Sequence, residues 1–247
     1  MFPELGSIGP FTFYSFGLML ALGLVAAGVF MGVDARQRGL KPGFALELMI
    51  GAGVGGLVGA RVYYVIDTGD TASLLSGSGL TWYGGIFGGT ALVLAVGLWR
   101  RVPAGVVANL AGPALALGYA IGRLGCQLSG DGDYGSASDL PWAMSYPDGT
   151  VPTTEEVHPT PLYEALGSLV LFAVLWRLRS RFAQPWSLFG LYLVGAGGMR
   201  FLVEFVRRNP EEVGSLTTAQ VISLGLVAIG AVLVALVRRR PAQLAPA

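Results

Sequence analysis

Seven stretches dominated by apolar residues follow one another along this chain, at 11–33, 45–66, 81–99, 105–122, 162–176, 187–206 and 219–237. Most of them approach the ~20 apolar residues that a helix needs to cross the hydrocarbon layer of a bilayer. The fifth is short and asks for little tilt or a locally thinner bilayer. A bilayer core has no water to satisfy backbone polar groups, so each run is read as a helix. Together they occupy more than half of the 247 residues and leave no stretch for a soluble domain. The expected fold is therefore an all-α integral membrane protein of seven transmembrane helices, one domain over 1–247. Charged residues are only 13% of the chain and hydrophobic ones 53%, where soluble domains carry about 25% charged residues. That excludes a soluble globular fold, a disordered chain and a basic nucleic-acid binder. Acidic Glu4 rather than a basic segment precedes the first run, which is also longer than a secretory signal core. It is read as a retained helix. The single cysteine, Cys126, rules out an intrachain disulfide and a cysteine-based zinc site.

The basic residues predict the orientation. Arg36, Arg38 and Lys41 follow the first run, Arg100 and Arg101 the third, Arg177, Arg179 and Arg181 the fifth, and Arg238, Arg239 and Arg240 the seventh. Eleven of the 16 Lys and Arg thus fall on alternate connections. Basic loops stay in the cytoplasm, which puts the N-terminus outside and the C-terminus in the cytoplasm. Arg207 and Arg208 break this pattern on the outer side and are followed by Glu211 and Glu212. One long periplasmic loop, 123–161, carries Tyr134, Trp142 and Tyr146 among Gly, Pro, Asp and Ser. Loops this long are commonly functional, and its aromatics predict that it folds against the membrane surface. The Pro/Ala tail after Arg240 is expected to fray.

Ionisable side chains within membrane helices are costly and point to function. Arg61, Arg123, Glu164, Arg200 and Glu204 lie in or at the edge of the runs, and the orientation gathers all five in the outer leaflet. Glu47, near the inner end of the second run, reads as structural. Snorkelling toward the interface explains one such arginine, but five charges in one leaflet ask for more. Arg200 and Glu204 are four residues apart on one helix face and can pair. Three guanidiniums against two carboxylates leave a positive excess, and the obvious anion in a membrane is a lipid phosphate. A transporter would place its polar residues near the midplane of interrupted helices.

Other motifs carry less. Gly51 to Gly56 match G-x-G-x-x-G but sit inside an apolar run with no strand before it. Gly51, Gly55 and Gly59, with Gly84-Gly85, Gly88-Gly89, and Gly118 with Gly122, read instead as helix-packing faces. Asp131-Gly132-Asp133 reads as a solvated loop, Cys126 as a small packing residue, and His158 as structural.

Several blocks carry a family resemblance. They are Gly59-Ala60-Arg61-Val62-Tyr63-Tyr64, Trp82-Tyr83-Gly84-Gly85, and Gly122-Arg123-Leu124-Gly125 with Ser129-Gly130-Asp131 and Tyr134-Gly135. They continue with Asp139-Leu140-Pro141-Trp142-Ala143, His158-Pro159-Thr160-Pro161-Leu162-Tyr163-Glu164, and the stretch from Gly197 through Arg200 and Glu204 to Arg207. In this order, over nearly the whole chain, they resemble the prolipoprotein diacylglyceryl transferase family of bacterial membrane enzymes. The chain reads as a divergent member. Tyr83 stands where the family has His, Cys126-Gln127 where it has Asn-Phe, and Asp131 replaces a Glu, with one residue inserted before Tyr134.

The resemblance implies transfer of a diacylglyceryl group from phosphatidylglycerol to the lipobox cysteine of a preprolipoprotein, with glycerol phosphate released. It implies a multi-pass protein of the bacterial cytoplasmic (inner) membrane, with no metal and no cofactor. Arg123, Arg200 and Tyr83 are then the catalytic candidates. The arginines would hold the phosphate. Tyr83 would orient it or accept a proton weakly, a phenol titrating near 10. Arg61, Glu204, Tyr14, Asp131, Glu164 and Cys126 are candidate substrate-binding residues, with Glu164 and Glu204 holding the arginines in place. Two other readings fit the same residues: a lipid transferase of this fold with another acceptor, and a catalytically inactive phosphatidylglycerol-binding membrane protein.

Overall fold

A computed structural model describes residues 1–9, 11–71 and 81–238. Arg239, Arg240 and the Pro/Ala tail lie outside the described residues, so the expectations placed on them have no structural counterpart. Seven α-helices are present among the described residues: α1 Ser15–Gln37, α2 Phe44–Thr68, α3 Trp82–Trp99, α4 Ala104–Ser129, α5 Thr160–Leu178, α6 Ser187–Glu204 and α7 Thr218–Arg238. Five of them, α1, α2, α4, α5 and α7, are long and apolar enough to cross a membrane. The other two have 18 residues each, and α6 is made less apolar by Arg200 and Glu204.

The helices are organised around α4. It packs against α1, α5 and α6, while α2 pairs with α3 and α6 with α7. Over its most apolar stretch α4 is 56% buried, against 6% for α1. Small residues permit this: Ala108, Gly112, Ala116 and Ala120 are all buried along α4. Buried Asn109 ties α4 to the start of α6. Its amide donates to the Gln184 carbonyl (2.6 Å), and its oxygen accepts the Leu188 and Phe189 N–H groups (3.0 and 3.1 Å). Those N–H groups belong to the first turn of a helix and have no partner within it.

Several sequence expectations need correction. The fold is helical as expected, with two short hairpins added. Residues 11–14, read as the start of the first membrane run, form strand β2 (Phe11–Tyr14), paired antiparallel with β1 (Glu4–Ile8). Aromatic and β-branched residues suit a strand as well as an apolar helix. A second antiparallel pair, β3 (Met144–Tyr146) and β4 (Thr153–Val157), lies in the long loop. The fourth helix does not stop at 122. Arg123 interrupts the apolar run by charge alone, and the helix continues to Ser129. Gly130 then ends it in the left-handed region at φ 56°, its N–H donating to the Cys126 carbonyl (2.9 Å).

The glycine face on α2 is observed. A Cβ on Gly59 would lie 2.8 Å from the Gly88 Cα, so glycine is required where α2 meets α3. The expected partner face at Gly122 is not, since a Cβ there would meet nothing within 4 Å.

The long loop is folded, as its aromatics predicted. Tyr134 and Tyr146 stack with centroids 4.9 Å apart, and both are buried with Val157. Its attachments run to the ends of two helices. Thr150 and Val151 N–H groups reach the Ser129 and Gly130 carbonyls (2.8 and 2.9 Å), and Ser136 N–H reaches the Val206 carbonyl (2.9 Å). The end of the bundle where α4 and α6 finish and α5 begins is therefore capped by this loop. At the opposite, basic end, Arg38 and Arg179 flank Asp34, and Arg100 pairs with Glu47.

Candidate active site

Three helix ends and the loop bring six ionisable side chains together. Glu164, in the first turns of α5, is completely buried, and its carboxylate is the centre of the group. Arg123 of α4 places Nε 3.0 Å from Glu164 Oε2. Arg200 of α6 places Nη1 3.7 Å from Oε1 of the same carboxylate and 2.5 Å from Glu204 Oε2. Arg207, just beyond α6, reaches Glu164 (3.6 Å), Glu204 (3.7 Å) and Asp133 of the loop (2.7 Å). Arg123 also pairs with Asp133. Neutral groups complete the cluster. The Tyr119 hydroxyl donates to Glu164 Oε1 (3.0 Å), and the Arg123 guanidinium lies 4.9 Å from the Tyr119 ring centroid. Glu204 Oε1 accepts from Asn209 (2.6 Å) and Thr217 (2.9 Å).

Local sequence explains the arrangement. Tyr119 and Arg123 are four residues apart on α4 and share a face, as do Arg200, Glu204 and Arg207 over two turns. Gly135 lets the loop approach, since a Cβ there would lie 2.9 Å from His158 Cβ. Three guanidiniums now face three carboxylates, so the cluster is closer to neutral than the sequence count suggested. Yet its alignment is incomplete. Arg123 Nε, Glu164 Oε2, Arg200 Nη1 and Glu204 Oε2 are buried within ion-pair distance of partners but make no aligned hydrogen bond among the described residues. Apo active sites often show such loose contacts, which tighten around a ligand.

Asp133 lies in the loop, outside the helices. Burial alone pushes its carboxyl up, but Arg123 and Arg207 outweigh this and hold it below the usual carboxylate range.

The site residues expected from sequence divide into two groups. Arg123, Arg200, Glu164 and Glu204 come together. Cys126 is buried beside them, with Sγ 3.7 Å from Arg123 Nη1. Cys126, Asp131 and Asp133 also bring a thiol and two carboxylates within 4.8 Å of one another. The guanidiniums on Asp133 would compete there with any cation. The other three residues sit elsewhere. Tyr83 is 57% exposed on α3, Tyr14 is 54% exposed at the start of α1, and Arg61 is half-buried on α2, within the α2–α3 pair. His158 belongs to the loop, with Nδ1 3.2 Å from the Tyr163 hydroxyl, which accepts from Trp142 Nε1 (2.8 Å).

Sequence reasoning missed Arg207, Asp133 and Tyr119. Arg207 was legible as the third charge of an i, i+4, i+7 stripe, but its side of the membrane made it look like an exception to the charge bias. Asp133 is not the solvated loop residue that its Gly neighbour suggested, because two arginines engage it.

The prolipoprotein diacylglyceryl transferase family model matches residues 3–236. The chain belongs to that family. Among its relatives, the phosphatidylglycerol–prolipoprotein diacylglyceryl transferase of Nostoc sp. is 33% identical, over 97% of this chain and 91% of its own. The enzyme of the same name from Methylococcus capsulatus is 32% identical over 94% of each chain. That from Clostridium tetani is 30% identical over 93% of this chain and 95% of its own. As a member of this family with several membrane-length helices, the chain is a multi-pass membrane protein.

Proposed function

We propose that this chain is a phosphatidylglycerol–prolipoprotein diacylglyceryl transferase acting as a single domain in the bacterial cytoplasmic membrane. All seven helices cross the bilayer, the loop end faces the periplasm and the basic end faces the cytoplasm. The observation that carries the reading is the shared carboxylate of Glu164, which draws Arg123, Arg200 and Arg207 to one point at the loop end. An exported lipobox cysteine meets the outer leaflet at that depth.

The reaction needs a held phosphate and a thiolate. The lipobox thiol loses its proton, and the thiolate attacks the diacylglyceryl carbon bonded to the phosphate oxygen. A C–S bond forms, the C–O bond breaks, and its electron pair leaves with glycerol phosphate. That monoester, with a second ionisation near pH 6, is a competent final acceptor for the thiol proton. Charge grows on the phosphate as the bond breaks, and guanidiniums fixed in a water-poor site stabilise it without reorganising. Arg123 and Arg200 engage the phosphate, and Arg61 adds to the positive field. Glu164 and Glu204 hold the arginines and release part of their contact when the phosphate arrives. Cys126 and Asp131, beside Arg123 and Asp133, contact the substrates within the cluster, and Tyr83 and Tyr14 contact them from outside it. A lipobox peptide is the acceptor.

The test is release of glycerol phosphate from phosphatidylglycerol, with a lipobox peptide present. Arg123→Ala should lower the rate by about 10²–10³, the usual effect of removing one transition-state donor. Release without modification of the peptide would point to another acceptor. No release above the Arg123→Ala level would leave a lipid-binding protein without the activity.

A further inference from the structure

A lateral recess lies far from the loop end, between the last turns of α1 and the first turns of α2. It has a volume of about 410 Å³ and is walled by Val29, Leu46 and Met49 around Gly28 and Gly32. The volume falls in the range of small-molecule sites. The two glycines matter because side chains there would fill the trough: a Cβ on Gly28 would run into Met49, and one on Gly32 would stand 3.8 Å from Ala45.

Along α1 the lining extends from Val25 to Arg36. At 1.5 Å per residue this is about 16 Å, close to half of the ~30 Å hydrocarbon thickness. The trough is therefore as deep as one leaflet. Its mouth carries two cations, Arg36 and Lys41, and no acidic residue lines it. Arg38, between them in sequence, is paired with Asp34. Arg36 and Lys41 form no ion pair among the described residues.

We infer that this groove binds one anionic phospholipid of the leaflet at the basic end, with an acyl chain along Gly28 and Gly32 and the phosphate between Arg36 and Lys41. The match of groove length to leaflet depth selects a lipid chain, and the cation pair at the mouth selects an anionic headgroup. The site is separate from the arginine cluster and does not depend on the transferase reading.

The experiment is native mass spectrometry of the full-length protein released from nanodiscs of equal phosphatidylglycerol and phosphatidylcholine. Wild type, Arg36→Gln/Lys41→Gln and Val29→Trp are compared, all three altered positions being exposed. Wild type is expected to retain one more phosphatidylglycerol than either variant. Loss of both cations should reduce occupancy on the order of tenfold, given the attraction of each basic residue near an anionic surface. Val29→Trp should displace the chain with the cations intact. The inference is overturned by equal retention in all three proteins, or by equal loss of phosphatidylcholine. It is also overturned by loss in the charge variant alone, which would mean diffuse surface attraction, or by a dimer that Val29→Trp dissolves.

Discussion

The two ends of the bundle use ion pairs in opposite ways. At the basic end the acids have few cationic partners: Glu47 meets Arg100, and Asp34 lies between Arg38 and a more distant Arg179 at 3.8 Å. Arg38 meets Asp34 one turn away at 3.1 Å, and Arg100 meets Glu47 across α2 and α3 with both side chains partly in solvent, 37% and 29% exposed. In the buried cluster at the loop end every acid is shared. Glu164 serves three arginines, and Glu204 and Asp133 serve two each. A discrete pair such as Arg100–Glu47 fastens one helix to another. A shared network does something further: an incoming anion can be taken up by redistributing contacts, with no charge left bare. Buried ion pairs stabilise a fold poorly for what their desolvation costs, so stability alone does not account for such a network, and the proposed phosphate site does.

The sharpest way to break this contrast is to remove one carboxylate from each end. Glu164→Ala leaves three buried guanidiniums short of charge and should destabilise the protein by about 3–5 kcal/mol. Glu47→Ala should leave the thermal midpoint unchanged within error. Equal effects in a thermal-shift series would erase the distinction. A smaller effect tests geometry rather than charge. Arg200→Lys keeps the positive charge but loses the planar guanidinium whose Nη1 sits between Glu164 and Glu204. Glycerol phosphate release should fall on the order of tenfold, the worth of one charge-assisted hydrogen bond. Full activity would mean that charge alone suffices at the loop end.

The smallest effect is acid dependence. A carboxylate held low contributes stability that is present above its unfolded value, about 3.9. That stability is lost as pH falls through the lower folded value. Asp133, held low by Arg123 and Arg207 against the opposing effect of burial, should therefore help to bring down the thermal midpoint below about pH 4. Asp133→Asn should start from a lower midpoint at neutral pH and show a shallower fall in that window. Parallel curves would remove Asp133 from the network.

The sequence was most informative where a pattern repeats. Apolar run length located every helix, and glycine spacing found the α2–α3 contact because only a bare backbone permits Gly59 to meet Gly88. The charged residues Arg123, Glu164, Arg200 and Glu204 stood out because membrane segments rarely hold such groups. What stayed hidden depended on chain direction after a helix ends. Arg207 lies just past α6 on the expected outer side, where it looked like an exception to the charge bias, and Asp133 lies in a connection, where charge is ordinary and only the fold turns it toward the arginines. Tyr119 hid because a tyrosine in an apolar run looks like packing. The β1–β2 hairpin hid because Phe11 and Phe13 satisfy helix and strand patterns equally.

The central position of α4 has a consequence for biogenesis. During synthesis α4 emerges ahead of α5 and α6, which later cover its Asn109 and Arg123 sides. Its neighbour already in the bilayer, α1, lines another face with mostly lipid-exposed residues of its own. The segment must therefore wait at the insertion machinery, or in the membrane with polar groups unmet, until the C-terminal half arrives. The arginine cluster therefore cannot assemble before α6 arrives, and a chain interrupted before α6 is a chain that never closes its own site.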